Sequence, residues 1–306
     1  MRALLPSTSQ TGWRREPHSI AWRQGGAESW RFVFDPVAGK PHFAVLAPGG
    51  TNLVAIRPED HVWHYGLWFS WKLVNGVNYW EELGAPPRAE GATRWSAPEI
   101  ATQPDGAATI RLEVRYVRPD GHVELTETRE VRIAPPAADG GFSIDWRAHF
   151  VVGDAPVVLD RTPMPGEPGG QVNGGYGGLG LRLPTAGETL ELVTPDGVVT
   201  RFAHERARPS AAALGCNLSV GGQALGGVAM LNLEPATGAA KPIPWYAVNA
   251  PGMRFVCAAL LAPQPLSLEA GATLDLCYRI LVRPTAWTPE ALRAAVENRD
   301  QGEPSR

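Results

Sequence analysis

"TIRLEVRYVRPDGHVELTETREVRI", residues 109–133, decides the fold class. Ile110, Leu112, Val114 and Tyr116 alternate with Arg111, Glu113 and Arg115. A period of two with apolar and charged sides is the mark of a half-buried strand with a charged outer face. Asp120-Gly121 then supplies a turn, and alternation resumes at Val123 and Leu125 and returns at Val131 and Ile133. Two such runs joined by an Asp-Gly turn form an antiparallel hairpin.

The theme repeats along the chain. Residues 141–152, 189–195, 197–204, 226–234, 253–262 and 272–282 read as further strands, closely spaced and separated by turns. That spacing is expected of a large antiparallel sandwich. One segment, 288–300, reads as a helix: Thr288 can cap it and Pro289 falls where its missing N–H costs nothing. The pattern predicts an all-β fold with a short C-terminal helix. Residues 1–306 are taken as one domain, with 1–25 as an N-terminal segment.

Composition agrees. The 34 glycines and 29 prolines suit many turns, and they lack the short period of a fibrous chain. A chain of 306 residues needs no metal or disulfide staple to fold. Cys216, Cys257 and Cys277 sit among apolar neighbours and read as reduced core thiols. The formal net charge is −3 and the basic residues are dispersed, which speaks against a nucleic-acid partner. "MRALLPSTSQ" lacks the apolar core of a signal peptide, and no apolar run approaches a membrane span. The expectation is a soluble, cytoplasmic protein.

Chemistry concentrates in "RPEDHVWHYGLWFSWKLVNGVNYWEE", residues 57–82. Asn75-Gly76 between two valines is a strong two-residue hairpin signal. That register puts Trp68, Ser70, Lys72, Val74, Val77, Tyr79 and Glu81 on one face. Leu67, Phe69, Trp71, Leu73, Asn78, Trp80 and Glu82 fall on the other, greasier face, which is expected on the core. Lys72 and Glu81 are diagonal neighbours within reach of each other. The mixed face is either solvated or a ligand platform of aromatic rings beside fixed polar groups. His61 and His64 are three apart, so a shared site needs a turn rather than a strand. Two histidines beside a carboxylate can perform general acid–base chemistry. They can also hold a divalent metal with Asp60 or Glu81 as third ligand, although the spacing is no recognised zinc pattern.

The stretch "DHVWHYGLWF" resembles the D-H-x-[HW]-H-x-G-L-W-F motif of the PmoA-like family. The resemblance continues through 124–133, 142–146, 159–183 and 242–255 and covers most of residues 40–285. It implies an uncharacterised family with a galactose-mutarotase-like β-supersandwich. The methane-oxygenase activity in the family label is rejected, because that subunit needs several membrane spans. In mutarotase-like enzymes a histidine and a carboxylate share proton transfer on a sugar ring, beside another histidine and an arginine. Residues of matching type are His61, His64, Glu81 or Glu82, Glu127, Arg129 and Arg161.

The resulting expectation is a carbohydrate-active enzyme of epimerase, lyase or hydrolase type. His61, His64 and Glu81 would be acid and base, and Lys72 or Arg161 would steady developing negative charge. Trp63, Trp68, Tyr79, Glu127, Arg129 and Tyr176 would bind substrate. No cofactor is predicted, and a metal at His61 and His64 is the lesser option. The alternatives are a non-catalytic carbohydrate-binding protein and a metal-dependent oxygenase or cyclase of secondary metabolism.

Overall fold

The computed structural model describes residues 11–37, 39–83 and 88–298. Two ten-stranded antiparallel sheets make up the sandwich. The first sheet runs, in spatial order, through Gly12–Glu16, Ser19–Gln24, Ala27–Val33, His42–Leu46, Leu67–Ser70, Gly178–Leu183, Met253–Ala258, Ile243–Ala250 and Arg206–Ala207. The second is centred on Thr273–Arg283, Phe142–Val152, Val123–Ile133 and Ala108–Val117. A small four-stranded sheet joins Leu266–Leu268, Val157–Asp160, Leu73–Val74 and Val77–Asn78. The antiparallel supersandwich with a short C-terminal helix is thus the observed architecture. Strands already occupy 12–24, so the N-terminal segment from Gly12 onward belongs to the first sheet. Among the described residues, no helix is long and apolar enough to cross a membrane.

The 109–133 hairpin forms as its alternation requires. Leu112 faces Arg129 and Tyr116 faces Leu125, and Arg118 N–H closes the turn on the His122 carbonyl at 2.8 Å. Ile110, Val114 and Val131 then meet Leu67, Phe69 and Leu181 of the first sheet in the inter-sheet core. The helix spans Pro289–Glu297, with Thr288 Oγ1 accepting from Ala291 N–H as its cap. The strand expected over 197–204 stops after Val198. The chain turns away there and closes a tight turn at 203–206, where His204 and Glu205 take positive φ.

The first sheet is covered on both faces, and this positions everything that follows. Leu179, Leu181 and Leu183 point into the sandwich, while Gly180 and Arg182 point outward. All six residues of Gly178–Leu183 are nevertheless buried. Trp68, Tyr246, Phe255 and Cys257 lie on the outer face and form a second apolar cluster under covering loops.

Glu127 and Arg129 correct the sequence reading. Their alternation with Leu125 and Val131 puts them on the inward face, where both are completely buried. Arg129 donates twice to Glu127, at 2.6 and 2.8 Å, Tyr116 Oη donates to the same carboxylate at 3.0 Å, and the guanidinium lies over Trp146. They are core residues and cannot touch a ligand from there. Tyr79 is also sealed in the core, its hydroxyl donating to Glu124 at 2.8 Å.

Breaking a buried pair strands a charge, whereas replacing both members with apolar groups need not. Glu127→Leu should therefore lower stability by about 3–5 kcal/mol in urea unfolding, and Glu127→Leu with Arg129→Met should recover most of the loss. An unchanged midpoint for the single variant would refute the buried pair.

Candidate functional site

The histidine segment is built by two successive turns. His61 N–H bonds the Pro58 carbonyl at 2.9 Å and His64 N–H bonds the His61 carbonyl at 3.0 Å. Arg57 enters this coil with φ +46°, and Gly66 leaves it with φ +71°. A Cβ on Gly66 would stand 2.3 Å from the Phe43 carbonyl oxygen, so only glycine permits the exit. The coil puts side chains three apart on one side. The His61 and His64 rings sit 4.7 Å apart between centroids.

A second wall comes from the end of the Asn75 hairpin. The register is as expected at Leu73–Asn78 and Val74–Val77. It then breaks, because Asn78 Oδ1 accepts from Trp80 N–H at 2.8 Å and Glu81 N–H at 3.2 Å. This side-chain turn competes with the strand ladder. Trp71 stays in the inter-sheet core while Trp80 swings to the outer cluster, so the two rings no longer share a face. Trp80 is buried as expected, but in the outer cluster rather than beside Trp71 between the sheets.

The third wall is the glycine-rich segment 163–177. Gly175 N–H bonds the Thr162 carbonyl and Gln171 N–H the Pro163 carbonyl, folding the loop on itself. Gly174 passes so close that a Cβ would meet the Pro163 oxygen at 1.9 Å. Asn173 and Tyr176 are delivered to the site.

The walls enclose a cavity of about 210 Å³ lined by His61, Trp63, His64, Trp80, Glu81, Asn173, Tyr176, Arg206, Tyr246, Met253 and Phe255. Five sequence candidates meet here: His61, Trp63, His64, Glu81 and Tyr176. The others do not line it. Lys72 sits behind Glu81, bonded to its carboxylate and lying 5.4 Å from the Tyr176 ring centroid. Arg161 pins the glycine-rich loop, donating to Glu167 at 2.6 Å and to the Ala262 carbonyl at 3.2 Å. Trp68 is fully buried, with its ring 5.0 Å from His64 and 5.8 Å from Phe255. Each was read as a ligand-facing group, and each instead supports a neighbour that is.

Polar partners fix the imidazoles. Asp60 Oδ2 meets His61 Nδ1 at 2.8 Å, and both Asp60 oxygens accept from Arg182 Nη2 at 2.9 Å. Burial alone would raise the Asp60 pKa, but the bonds from His61 and Arg182 win and hold it below the usual carboxylate range. A carboxylate at Nδ1 keeps that nitrogen protonated and leaves Nε2 with a lone pair. His64 shows the reverse arrangement: its Nδ1 faces Arg182 Nη1 at 3.5 Å, and arginine can only donate. The proton therefore belongs on Nε2. Burial, then the charges of His61 and Arg182, hold the His64 pKa well below its ordinary value, so this ring is neutral.

Glu81 is gripped by Lys72, by the Tyr176 hydroxyl and by Asn78 Nδ2 at 2.7 Å. Burial opposes its ionisation, yet the Lys72 charge and these bonds keep its pKa below the usual range. The Tyr176 hydroxyl is pushed up by burial and by the Glu81 charge, and donates as a neutral phenol. Among the described residues, no group of three His, Cys, Asp or Glu side chains is arranged to hold a metal ion.

Arg182, Arg206, Tyr246 and Phe255 escaped the sequence reading because they arrive from distant strands. One cue existed: an arginine inside the otherwise apolar "GLGLRL" is costly unless paired.

The model of the family described as "Family of unknown function (DUF6807)" matches residues 19–297, and the chain belongs to that family. The family shown is this one, and the PmoA-like resemblance rests on motif wording alone. No curated protein matches. Among solved structures, an alpha-galactosidase from Geobacillus stearothermophilus is 11% identical, with a TM-score of 0.49, over 90% of this chain and 41% of its own. An alpha-galactosidase from Lactobacillus brevis is 10% identical, with a TM-score of 0.48, over 92% and 40%. A protein assigned as an aldose 1-epimerase from Klebsiella pneumoniae is 9% identical, with a TM-score of 0.42, over 92% and 82%. The chain spans about two-fifths of the length of the two galactosidases. Likenesses this distant say nothing about the reaction at this cavity.

Two buried histidines give the fold a pH dependence. Burial drives His42 from 6.5 down to about 4, and His64 is also lowered. The unfolded chain then takes up protons that the folded chain refuses as pH falls below about 6.5. Stability that is full above pH 6.5 should be lost progressively toward pH 4 for His42. The melting temperature should fall between pH 7 and pH 5, and His42→Gln should flatten that slope whatever its effect at pH 7. A slope identical to the parent's would exclude His42 as a contributor.

Proposed function

We propose that this DUF6807 protein is an enzyme that moves protons on a sugar or a similar polyhydroxylated small molecule bound in the 210 Å³ cavity. The observation that carries the reading is the convergence on one aromatic-walled cavity of Glu81 and two imidazoles whose proton positions are set by Asp60 and Arg182. The volume lies below the roughly 300–1,000 Å³ usual for drug-sized ligands and suits a compact one.

Trp63, Trp80, Tyr246 and Phe255 give the cavity an aromatic lining suited to the apolar C–H surface of a sugar, and Asn173 offers an amide to its hydroxyls. His61 acts as the base through Nε2. Asp60 orients the ring and stabilises the imidazolium as it forms, the role an aspartate plays in a catalytic triad. His64 donates from Nε2 to an oxygen of the substrate that gains negative charge. A neutral imidazole performs that task when its surroundings suppress protonation, as burial and Arg182 do here. Glu81 is a second ionised group and can accept a proton from the substrate through the oxygen bonded to Tyr176, while the His61 imidazolium returns the proton it took. Proton transfer beside a carbonyl or anomeric carbon, as in epimerisation or elimination, fits this set better than hydrolysis by two carboxylates.

The test is a panel of aldoses, ketoses and sugar acids followed by proton NMR in deuterated water. Exchange or isomerisation of at least one member is expected. His61→Ala should slow that conversion about 10²–10⁴-fold, the range for loss of a positioned general base. Asp60→Asn should also slow it, with binding altered less than turnover. Saturable binding without any conversion would replace this reading with that of a sugar-binding protein, and absence of both would remove it.

A further inference from the structure

The charges around the cavity do not cancel. Arg182 is matched by Asp60, Lys72 by Glu81, and Lys40, just beneath, by Glu82. Arg206 is different. It lines the cavity, and its Nη1 donates to a backbone group two residues back, the His204 carbonyl, at 2.6 Å. It also bonds the Tyr246 side chain, a neutral phenol. Among the described residues, no carboxylate pairs with it.

Arg208, two residues on, increases the imbalance. Its guanidinium lies 5.1 Å from the Tyr246 ring centroid, and its Nη2 donates to the carbonyls of Val172 and Gly174, both at 2.8 Å. Those partners are neutral too. Among the described residues, the Tyr246 side of the cavity therefore carries two permanent positive charges with no carboxylate paired to either, and Arg206 lines the cavity. Uncompensated cations in a cleft with low-dielectric walls raise the local concentration of anions. A planar guanidinium that is not already forked to a carboxylate is shaped to accept one in two parallel hydrogen bonds.

We infer that the natural ligand carries a carboxylate, and that Arg206 receives it: the substrate class is a sugar acid of uronate type rather than a neutral sugar. This rests on the reading of the cavity as a sugar site and narrows it. The ring lies against Trp80 and Phe255, the acid group turns to Arg206 and Tyr246, and the reacting carbon lies toward His61. Arg206 is a specificity residue here and takes no part in proton transfer.

The experiment is calorimetric titration of the full chain with D-glucuronate and D-galacturonate, each against glucose and galactose. The parent should bind at least one uronate roughly ten- to a hundredfold tighter than its neutral counterpart, the factor a charge-assisted pair supplies. Arg206→Gln should bring that ratio close to one, and Arg206→Lys should restore part of it, since a point charge attracts without forking. The strand pairing of Arg206 with Val248 uses backbone, so both variants should fold, as melting curves will verify. A ratio near one for the parent, no binding of either uronate, or an unchanged ratio in Arg206→Gln overturns the inference. His61→Ala separates the two readings: it should slow conversion about 10²–10⁴-fold while leaving the uronate preference in place. Conversion of neutral sugars with no uronate preference would sink the ligand class and leave the enzyme reading standing.

Discussion

The bond between Asp60 and Arg182 is the constraint on which the site depends. Arg182 projects from the outer face of the first sheet and is 1% exposed. A buried guanidinium needs an anion, and removing its partner is strongly destabilising. Asp60 supplies that anion from the histidine coil, so the sheet captures the coil by electrostatic necessity. One contact thereby fixes loop to sheet, sets the tautomer of His61 through Oδ2, and sets that of His64 through Arg182 itself.

A common device recurs nearby. Glu81 is held between Lys72 and the Tyr176 hydroxyl, Glu82 between Lys40 and Tyr65, and Glu127 between Arg129 and Tyr116. Each carboxylate has one cation for its charge and one phenol for a remaining lone pair. The phenols stay neutral because burial and the adjacent anion both raise their pKa values. Carboxylates satisfied in this way make a buried polar network tolerable and rigid. Glu127 is sealed in the core and Glu82 does not line the cavity, so Glu81 alone of the three borders it. The same chemistry thus serves as structure twice and as a site once.

The supports also explain how a shallow coil and a glycine-rich loop can form a defined cavity. Arg161 and Arg208 tie segment 163–177 to the Ala262 backbone and to the Tyr246 ring. Asn78 bends residues 80–81 toward it. Lys72 and Trp68, read from sequence as ligand groups, hold Glu81 and His64 from behind. Preorganised groups of this kind lose little freedom on binding, which favours discrimination among ligands of similar size.

The local patterns were legible because they depend on neighbours in sequence. Period-two alternation gave the 109–133 hairpin, Asn75-Gly76 gave the tight turn of the hairpin at 73–78, and Thr288-Pro289 gave the start of the helix. The need for a turn between His61 and His64 was legible for the same reason. Alternation says which residues share a face, not what covers that face. Glu127 and Arg129 looked like substrate-binding residues until a second sheet lay over them. Trp80 looked like a partner of Trp71 on one face until the Asn78 side chain replaced the ladder. Arg182, Arg206, Tyr246 and Phe255 are brought to the histidines only by strand order, because pairings such as Gly180 with Cys257 join residues far apart in the chain. Sequence determined the all-β elements, through backbone geometry and local propensity. The tertiary structure alone decided which charges are paired, which are buried and which remain open to a ligand, because those properties belong to the space between strands.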